Sequence, residues 1–504
     1  MFEDRRQFLK QAGGATAAAA LGLSGTGGKS VRADTVQSTP SDWLTLAGTS
    51  IHETQPTELT LEGRLPARLR GTLFRNGPGL FERDGVRKTN VLDGDGLVQR
   101  LRLEDGKAVH QSSFVRTEKY LEEEAAGRFS YATWTTRAPG GFLNNLGGSN
   151  FKTQAGVTAY QVNGRLFALD EVSPIYELDP QTLETKAPIL SGMNVAAATK
   201  AHTKLDAKTG DWIVMGGEFG PSMKMHTAIH HKDGRITTLP PVAAPRQVYT
   251  HDFFATENYL IVNLHPAELG LVSFLSGMSS FTDSFNWNPN LGNLIAIIPK
   301  DGSATRFIEA PACWMWHAAN AYEHGNTIIA DFIGYQDPGH FIGNDAAFST
   351  IMEGKRGNSG APGLMRRYVI DLQSNSLREE IVAHGGFEFP AINPRQACHP
   401  HHMVYATMGD GESIFHSGLA AINMENGELS RFDFGDKHYV GEPVFAPDPA
   451  NPSNGWLITQ VLAGETGTSF FALFDAGDVN AGPIAKAHLT HHLPISFHGS
   501  WTPA

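Results

Sequence analysis

Cysteine is nearly missing from this chain, with two among 504 residues. A disulfide scaffold is therefore excluded, since Cys313 and Cys398 allow one bridge at most. Positive charge is also short. There are 40 Lys and Arg against 52 Asp and Glu, a formal net charge of −12. With no basic block, the chain is a poor nucleic-acid binder. Beyond the N-terminal region no apolar run reaches the ~20 residues that span a bilayer. Strongly periodic helix patterns are scarce, and no internal repeat is visible. What is present is a 41% apolar fraction, ample for a core. The 54 glycines, 28 prolines and 29 phenylalanines favour many short strands joined by tight turns.

The first 33 residues differ from the rest. Arg5-Arg6 precede Gln7-Phe8-Leu9-Lys10, an Ala/Gly-rich apolar run extends from Ala12 to Leu23, and Val31-Arg32-Ala33 places small residues where a signal peptidase reads. This is the layout of an export signal, and the paired arginines match its twin-arginine form. The expectation is a signal over 1–33, recognised by the twin-arginine export machinery. The remaining chain, 34–504, is then one acidic domain in the periplasm or otherwise outside the cytoplasm.

Within that domain, turn pairs punctuate short apolar runs: Asn163-Gly164, Asp233-Gly234, Asp301-Gly302, Gly325-Asn326 and Asn426-Gly427. Such pairs suit the positive φ angles of hairpins. Runs such as Tyr259–Asn263 and Thr327–Ala330 are rich in β-branched and aromatic residues. Helices are expected at Glu118–Ala126 and near Ala267–Ser280. With no compositional break, the pattern predicts one large all-β domain, a propeller or a multi-sandwich.

Of the 21 histidines, four stand in distinctive settings: His202 in KAHTKLD, His251 in THDFF, His317 in WMWHAAN and His498 in ISFHGSW. They lie too far apart for a short-range zinc pattern. On spacing alone each reads as an ordinary polar or core histidine. The run Cys398-His-Pro-His-His402 looks more like a metal site, though it also fits a structural or surface strand.

The surrounding segments carry more information. Gly71–Gly79 (GTLFRNGPG), Leu92–Leu97 (LDGDGL), Phe114–Tyr120 (FVRTEKY), Leu166–Glu171 (LFALDE), Tyr176–Pro180 (YELDP), Phe387–Asn393 (FEFPAIN) and Gly441–Pro447 (GEPVFAP) occur in that order. In them the chain resembles the carotenoid cleavage oxygenases, a family that includes lignostilbene dioxygenases and the retinal-pigment-epithelium isomerase. The resemblance runs from about residue 55 to the C-terminus. It implies a seven-bladed β-propeller, with a few short helices and loops capping the metal face. It also implies Fe(2+) on the axis, bound by His202, His251, His317 and His498. Glu171 would support His251, Glu388 would support His317 and Glu442 would support His498, with no glutamate for His202. Carboxylates so placed fix imidazole tautomer and orientation. The reaction implied is cleavage of a C=C bond by O2 into two carbonyl products, with no catalytic residue beyond the iron centre.

A polyene or stilbene needs an apolar tunnel. Phe253, Phe254, Trp314, Trp316, Phe497 and Trp501, adjacent to the ligands, are candidates, with Phe74 and Trp134 behind them; ordinary core packing is the alternative for each. The resemblance places the run Leu269–Phe281 at an apolar tunnel mouth that contacts a membrane, against the plain reading of a buried helix. In stilbene-cleaving members a Lys and a Tyr engage a phenol. Lys119 matches the Lys, but Val91 stands at the Tyr position, which favours a carotenoid or apocarotenoid over a phenolic stilbene. The remaining alternatives are a non-oxidative retinoid or carotenoid isomerase, a binding protein that has lost turnover, and an unrelated calcium-dependent propeller.

Overall fold

The computed structural model describes residues 42–148, 150–194, 197–342 and 346–504. The export signal expected at 1–33 lies outside them. Seven antiparallel sheets of four to six strands account for most of the described chain, and they are the blades of a seven-bladed propeller. Five blades are built in order from consecutive hairpins. The second begins at Thr158–Val162, and the third at Ala198–Thr199 with Lys204–Leu205. The fourth, fifth and sixth begin at Phe254–Ala255, Trp314–His324 and Gly386–Ala391.

Turn chemistry explains the hairpins. Asn163 and Gly164 both have positive φ (50° and 79°) where Thr158–Val162 turns back into Arg165–Leu169. Gly supplies this conformation freely, and Asn tolerates it better than most residues. The innermost strands carry the buried faces, and the outermost, such as Thr185–Ile189, are largely exposed.

Two blades are composites that close the ring. The first combines Thr54–Glu58, Lys107–Phe114, Asp95–Glu104 and Gly71–Arg75 with the C-terminal strand Gly499–Pro503 at its inner edge. The seventh carries Thr60–Gly63 on its outer edge, beside Ala485–His488. An early segment, Thr60–Gly63, and the C-terminal strand are thus each hydrogen-bonded into a blade formed mostly by the opposite part of the described chain. Closure buries the sheet faces that the first and last blades of an open arc would expose.

Separate apolar clusters fill the gaps between neighbouring blades. Phe254, Ile295 and Phe332 pack between the fourth and fifth, and Leu419, Phe445 and Phe474 between the sixth and seventh. The expected helix at Glu118–Ala126 forms with those bounds; the Thr117 side chain caps its first turn and Gly127 ends it in the left-handed conformation. The region near Ala267–Ser280 is less helical than expected. Ala267–Leu269 pairs as a strand with Phe285–Trp287, and only Leu271–Leu275 coils. Cys313 and Cys398 are both free and buried in different clusters, so no bridge joins them.

Candidate metal centre

Four histidines converge on the propeller axis from four blades. His498 immediately precedes Gly499–Pro503, His202 joins the two inner segments of the third blade, and His251 leads into Phe254–Ala255. His317 lies within Trp314–His324, where the pairing register shifts between Met315 and Ala318. Such a bulge re-aims side chains. One ring nitrogen of each histidine lies within 4.8 Å of the others. His202 Nε2 and His251 Nε2 are 3.0 Å apart.

The other three blades supply carboxylates behind the histidines. Glu171, in the second, has Oε1 3.0 Å from His251 Nδ1. Glu388, in the sixth, accepts from His317 Nδ1 at 2.5 Å. Glu442, in the seventh, accepts from His498 Nδ1 at 2.9 Å. Every blade therefore contributes one residue to the assembly. The three glutamate pairings are those expected from the resemblance, and His202 has no glutamate. Its Nδ1 has Asp252 at 4.0 Å, too far for a hydrogen bond.

The donor set fits a metal ion. Nδ1–H groups directed at carboxylates leave the Nε2 lone pairs facing inward. His317 Nε2 is buried with no hydrogen-bond partner, a costly state for a polar atom unless something occupies the centre. Burial, and then repulsion from neighbouring histidines (His498 first for His202, His317 first for His251), push His202 and His251 well below the ordinary histidine pKa. Burial also lowers His498, against the pull of Glu442. Neutral imidazoles are the ligating form. A set of four suits iron, zinc, copper or nickel, and not calcium.

The carboxylates are tuned differently. Burial raises Glu171 to about 7, with Lys200 opposing the rise. For Glu388 burial is again the largest single influence, but His317 and the Phe389 N–H outweigh it and hold the carboxyl below its ordinary value. Phe389 has a φ of 52°, a strained value for a phenylalanine. Its ring stacks on His317 with centroids 5.2 Å apart.

Sequence reasoning missed several participants. Tyr249 Oη is 2.8 Å from His251 Nδ1. Lys200 Nζ sits 3.3 Å from Glu171 and 5.1 Å from the Tyr249 ring centroid. The fully buried Arg75 donates to the backbone oxygens of Glu442 and Phe497 and to Ser496 Oγ, which locks the segment carrying His498. Tyr249 was accessible from sequence, because it lies two residues before a ligand and shares its side in extended chain.

The aromatic candidates divide. Trp134, Trp314, Trp316 and Phe497 join one large cluster around the histidines with Tyr249, Phe285 and Phe341. Trp316 meets His251 edge-on at 4.7 Å. Phe253, Phe254 and Phe74 belong elsewhere. They pack between the third and fourth, fourth and fifth, and first and second blades respectively. Strand alternation turns side chains beside a ligand toward blade interfaces. Trp501 packs against the core between the seventh and first blades.

Lys119 is also placed apart from the expected role. Its ammonium is fully buried between Asp95 Oδ1 (2.7 Å) and Glu123 Oε2 (2.8 Å), so two of its three donors are taken. The run 398–402 is structural. His399 Nε2 lies 3.2 Å from Asp206 Oδ1, and the buried His401 has Nδ1 3.1 Å from the Asn320 amide nitrogen, while His402 is exposed beside Glu425.

A narrow crevice, with free volume of only about 10 Å³, lies near the cluster, lined by Thr133, Arg137, Asn150, Phe151, Phe274 and Phe281. Phe281 meets Trp134 at 5.7 Å and Tyr249 at 6.1 Å, so one layer of rings separates the crevice from the histidines. Around it Phe142, Leu143, Leu146, Val272 and Met278 are solvent-exposed, Val272 by 80%.

A seven-bladed propeller with four axial histidines, three of them held by carboxylates from other blades, defines a class of metal-binding propeller. The chain belongs to the family described as "Retinal pigment epithelial membrane protein", which matches residues 48–503. It is 29% identical to apocarotenoid-15,15'-oxygenase of Synechocystis over 92% of this chain and 96% of that one. To isoeugenol monooxygenase of Pseudomonas nitroreducens it is 28% identical, covering 88% and 94%. Among solved structures, cobalt-substituted Synechocystis apocarotenoid oxygenase superposes with a TM-score of 0.84 at 26% identity, over 92% of this chain and 98% of that one.

Proposed function

We propose that this chain is an Fe(2+)-dependent dioxygenase that cleaves a C=C bond of an apocarotenoid or carotenoid with O2, giving two carbonyl products. The observation that carries the reading is the axial histidine set, with the orphaned His317 Nε2 at its centre and Glu171, Glu388 and Glu442 behind it. His202, His251, His317 and His498 would hold the ion. Bound iron supplies the O2 chemistry that side chains lack. The protein's part is orientation and exclusion. The glutamates keep Nδ1 of His251, His317 and His498 protonated and the Nε2 of each of these three aimed at the centre. Trp134, Trp314, Trp316 and Phe497 surround it with apolar wall, which suits an unsaturated hydrocarbon and keeps water out.

A phenolic alkene is the second reading, motivated by the isoeugenol-acting relative. Here Val91 is apolar and fully buried and Lys119 is occupied by two carboxylates, so neither is placed to receive a phenol. The exposed apolar residues around the crevice would rest on a membrane surface and admit lipid-soluble substrate. The N-terminal signal would deliver the protein to the periplasm through the twin-arginine machinery.

The test is aerobic incubation of iron-loaded protein with apocarotenoids, carotenoids and stilbenes, with products weighed by mass spectrometry and O2 uptake followed. Two carbonyl fragments with matching uptake are expected from a polyene. Product without uptake would overturn the dioxygenase in favour of an isomerase.

A further inference from the structure

Trp316 has a polar anchor that plays no part in holding the metal. Its indole Nε1–H donates to His340 Nε2. An indole nitrogen only donates, so His340 Nε2 must be the acceptor and its proton must sit on Nδ1. That nitrogen has a matching acceptor, the Ser359 carbonyl at 3.2 Å. His340 is completely buried and packs against Tyr335, the rings inclined at 48° with centroids 4.6 Å apart. The neutral ring, in one tautomer, is thus fixed on three sides. Trp316 in turn is the ring that meets His251 edge-on. Phe341, next to His340, packs against the same indole with centroids 4.8 Å apart.

We propose that His340 is a positioning residue for the metal centre. It sets the plane of Trp316, and Trp316 sets both the orientation of the His251 ring and the adjoining apolar wall. Glu171 and Tyr249 constrain His251 only at Nδ1. A hydrogen bond at one atom leaves a ring free to swing about that contact, and the indole edge blocks the swing. The inference rests on the histidine set holding a metal.

The experiment reads the metal directly. The full chain is loaded with cobalt(II), whose visible spectrum reports ligand geometry, and iron-loaded protein is assayed in parallel. His340→Phe fills the same space without an acceptor; His340→Gln keeps one. The expected result is a displaced cobalt spectrum in His340→Phe and a KM raised about tenfold with kcat changed less. His340→Gln should return most of both. In a Trp316→Phe background, which has no N–H to anchor, His340→Phe should add nothing further. An unchanged cobalt spectrum in His340→Phe, or an equal effect in both backgrounds, would overturn the inference alone. Failure of the unsubstituted chain to bind cobalt would overturn the metal centre and this inference with it.

Discussion

At the scale of single residues, the centre depends on what stands behind each ligand. Glu388→Gln retains an acceptor for His317 but removes a negative charge from the rim. Metal affinity is expected to fall between 10- and 100-fold, measured as competition with a chelator, with little change in thermal midpoint. Unchanged affinity would mean that His317 is oriented by Phe389 stacking instead. The four histidines were legible because the chain resembles a family whose ligand positions they match; their spacing alone was silent. Phe253 and Phe254 were misplaced because nearness to His251 in sequence says nothing of direction. Consecutive residues of an extended chain point opposite ways, and each of these rings found a blade interface. Lys119 could be located by its motif, but its partners Asp95 and Glu123 could not be assigned, since a buried ion pair is made by tertiary packing. His340 and Arg75 act through atoms supplied from distant segments, which no local pattern reports.

At the scale of elements, hairpin turns were readable and short irregular pieces were not. Asn163-Gly164 specifies its turn through φ alone. The stretch after Ala267 carries both strand-like and helix-like residues, and pairing with Phe285–Trp287 decides for a strand at its start. The helix Leu271–Leu275 that follows has no buried residue. Monomers rarely leave a large contiguous apolar patch in water, and Leu143, Val272 and Met278 lie in one such region. Replacing Val272 and Met278 together by Asp should abolish co-sedimentation with lipid vesicles. Since both side chains are largely exposed, stability should change by less than about 1 kcal/mol in denaturant melts. Vesicle binding that survives the double substitution would leave this face without a membrane role.

At the scale of the whole molecule, burial of neutral histidines couples folding to pH. Burial lowers His110, His265 and His401 to about 3, and His340 and His416 to about 4. An unfolded chain protonates these groups near 6.5, where the native state refuses the proton. Their contribution is complete above that pH and is lost as pH falls toward 4, by up to ~1.4 kcal/mol per pH unit for each group. Glu171, raised to about 7, works the other way: the native state takes its proton first, adding stability as pH falls through 7. Asp170, raised to about 6 by burial, works with Glu171, and five groups against two give a net loss in acid. Metal-free protein should therefore show a lower urea midpoint at pH 5.5 than at pH 7.5; equal midpoints would contradict the burial of these rings. The seven-bladed count was not available from repeats, because the blades share geometry and not sequence; it came from the resemblance. Ring closure also orders events in time. During synthesis His202, His251 and His317 emerge in sequence, but His498 follows the whole of the seventh blade, and its strand Gly499–Pro503 must dock against Gly71–Arg75 from the start of the chain. A ribosome-bound chain lacking that segment can present three of the histidines and never four, so the complete four-histidine centre exists only in a molecule whose ring has closed.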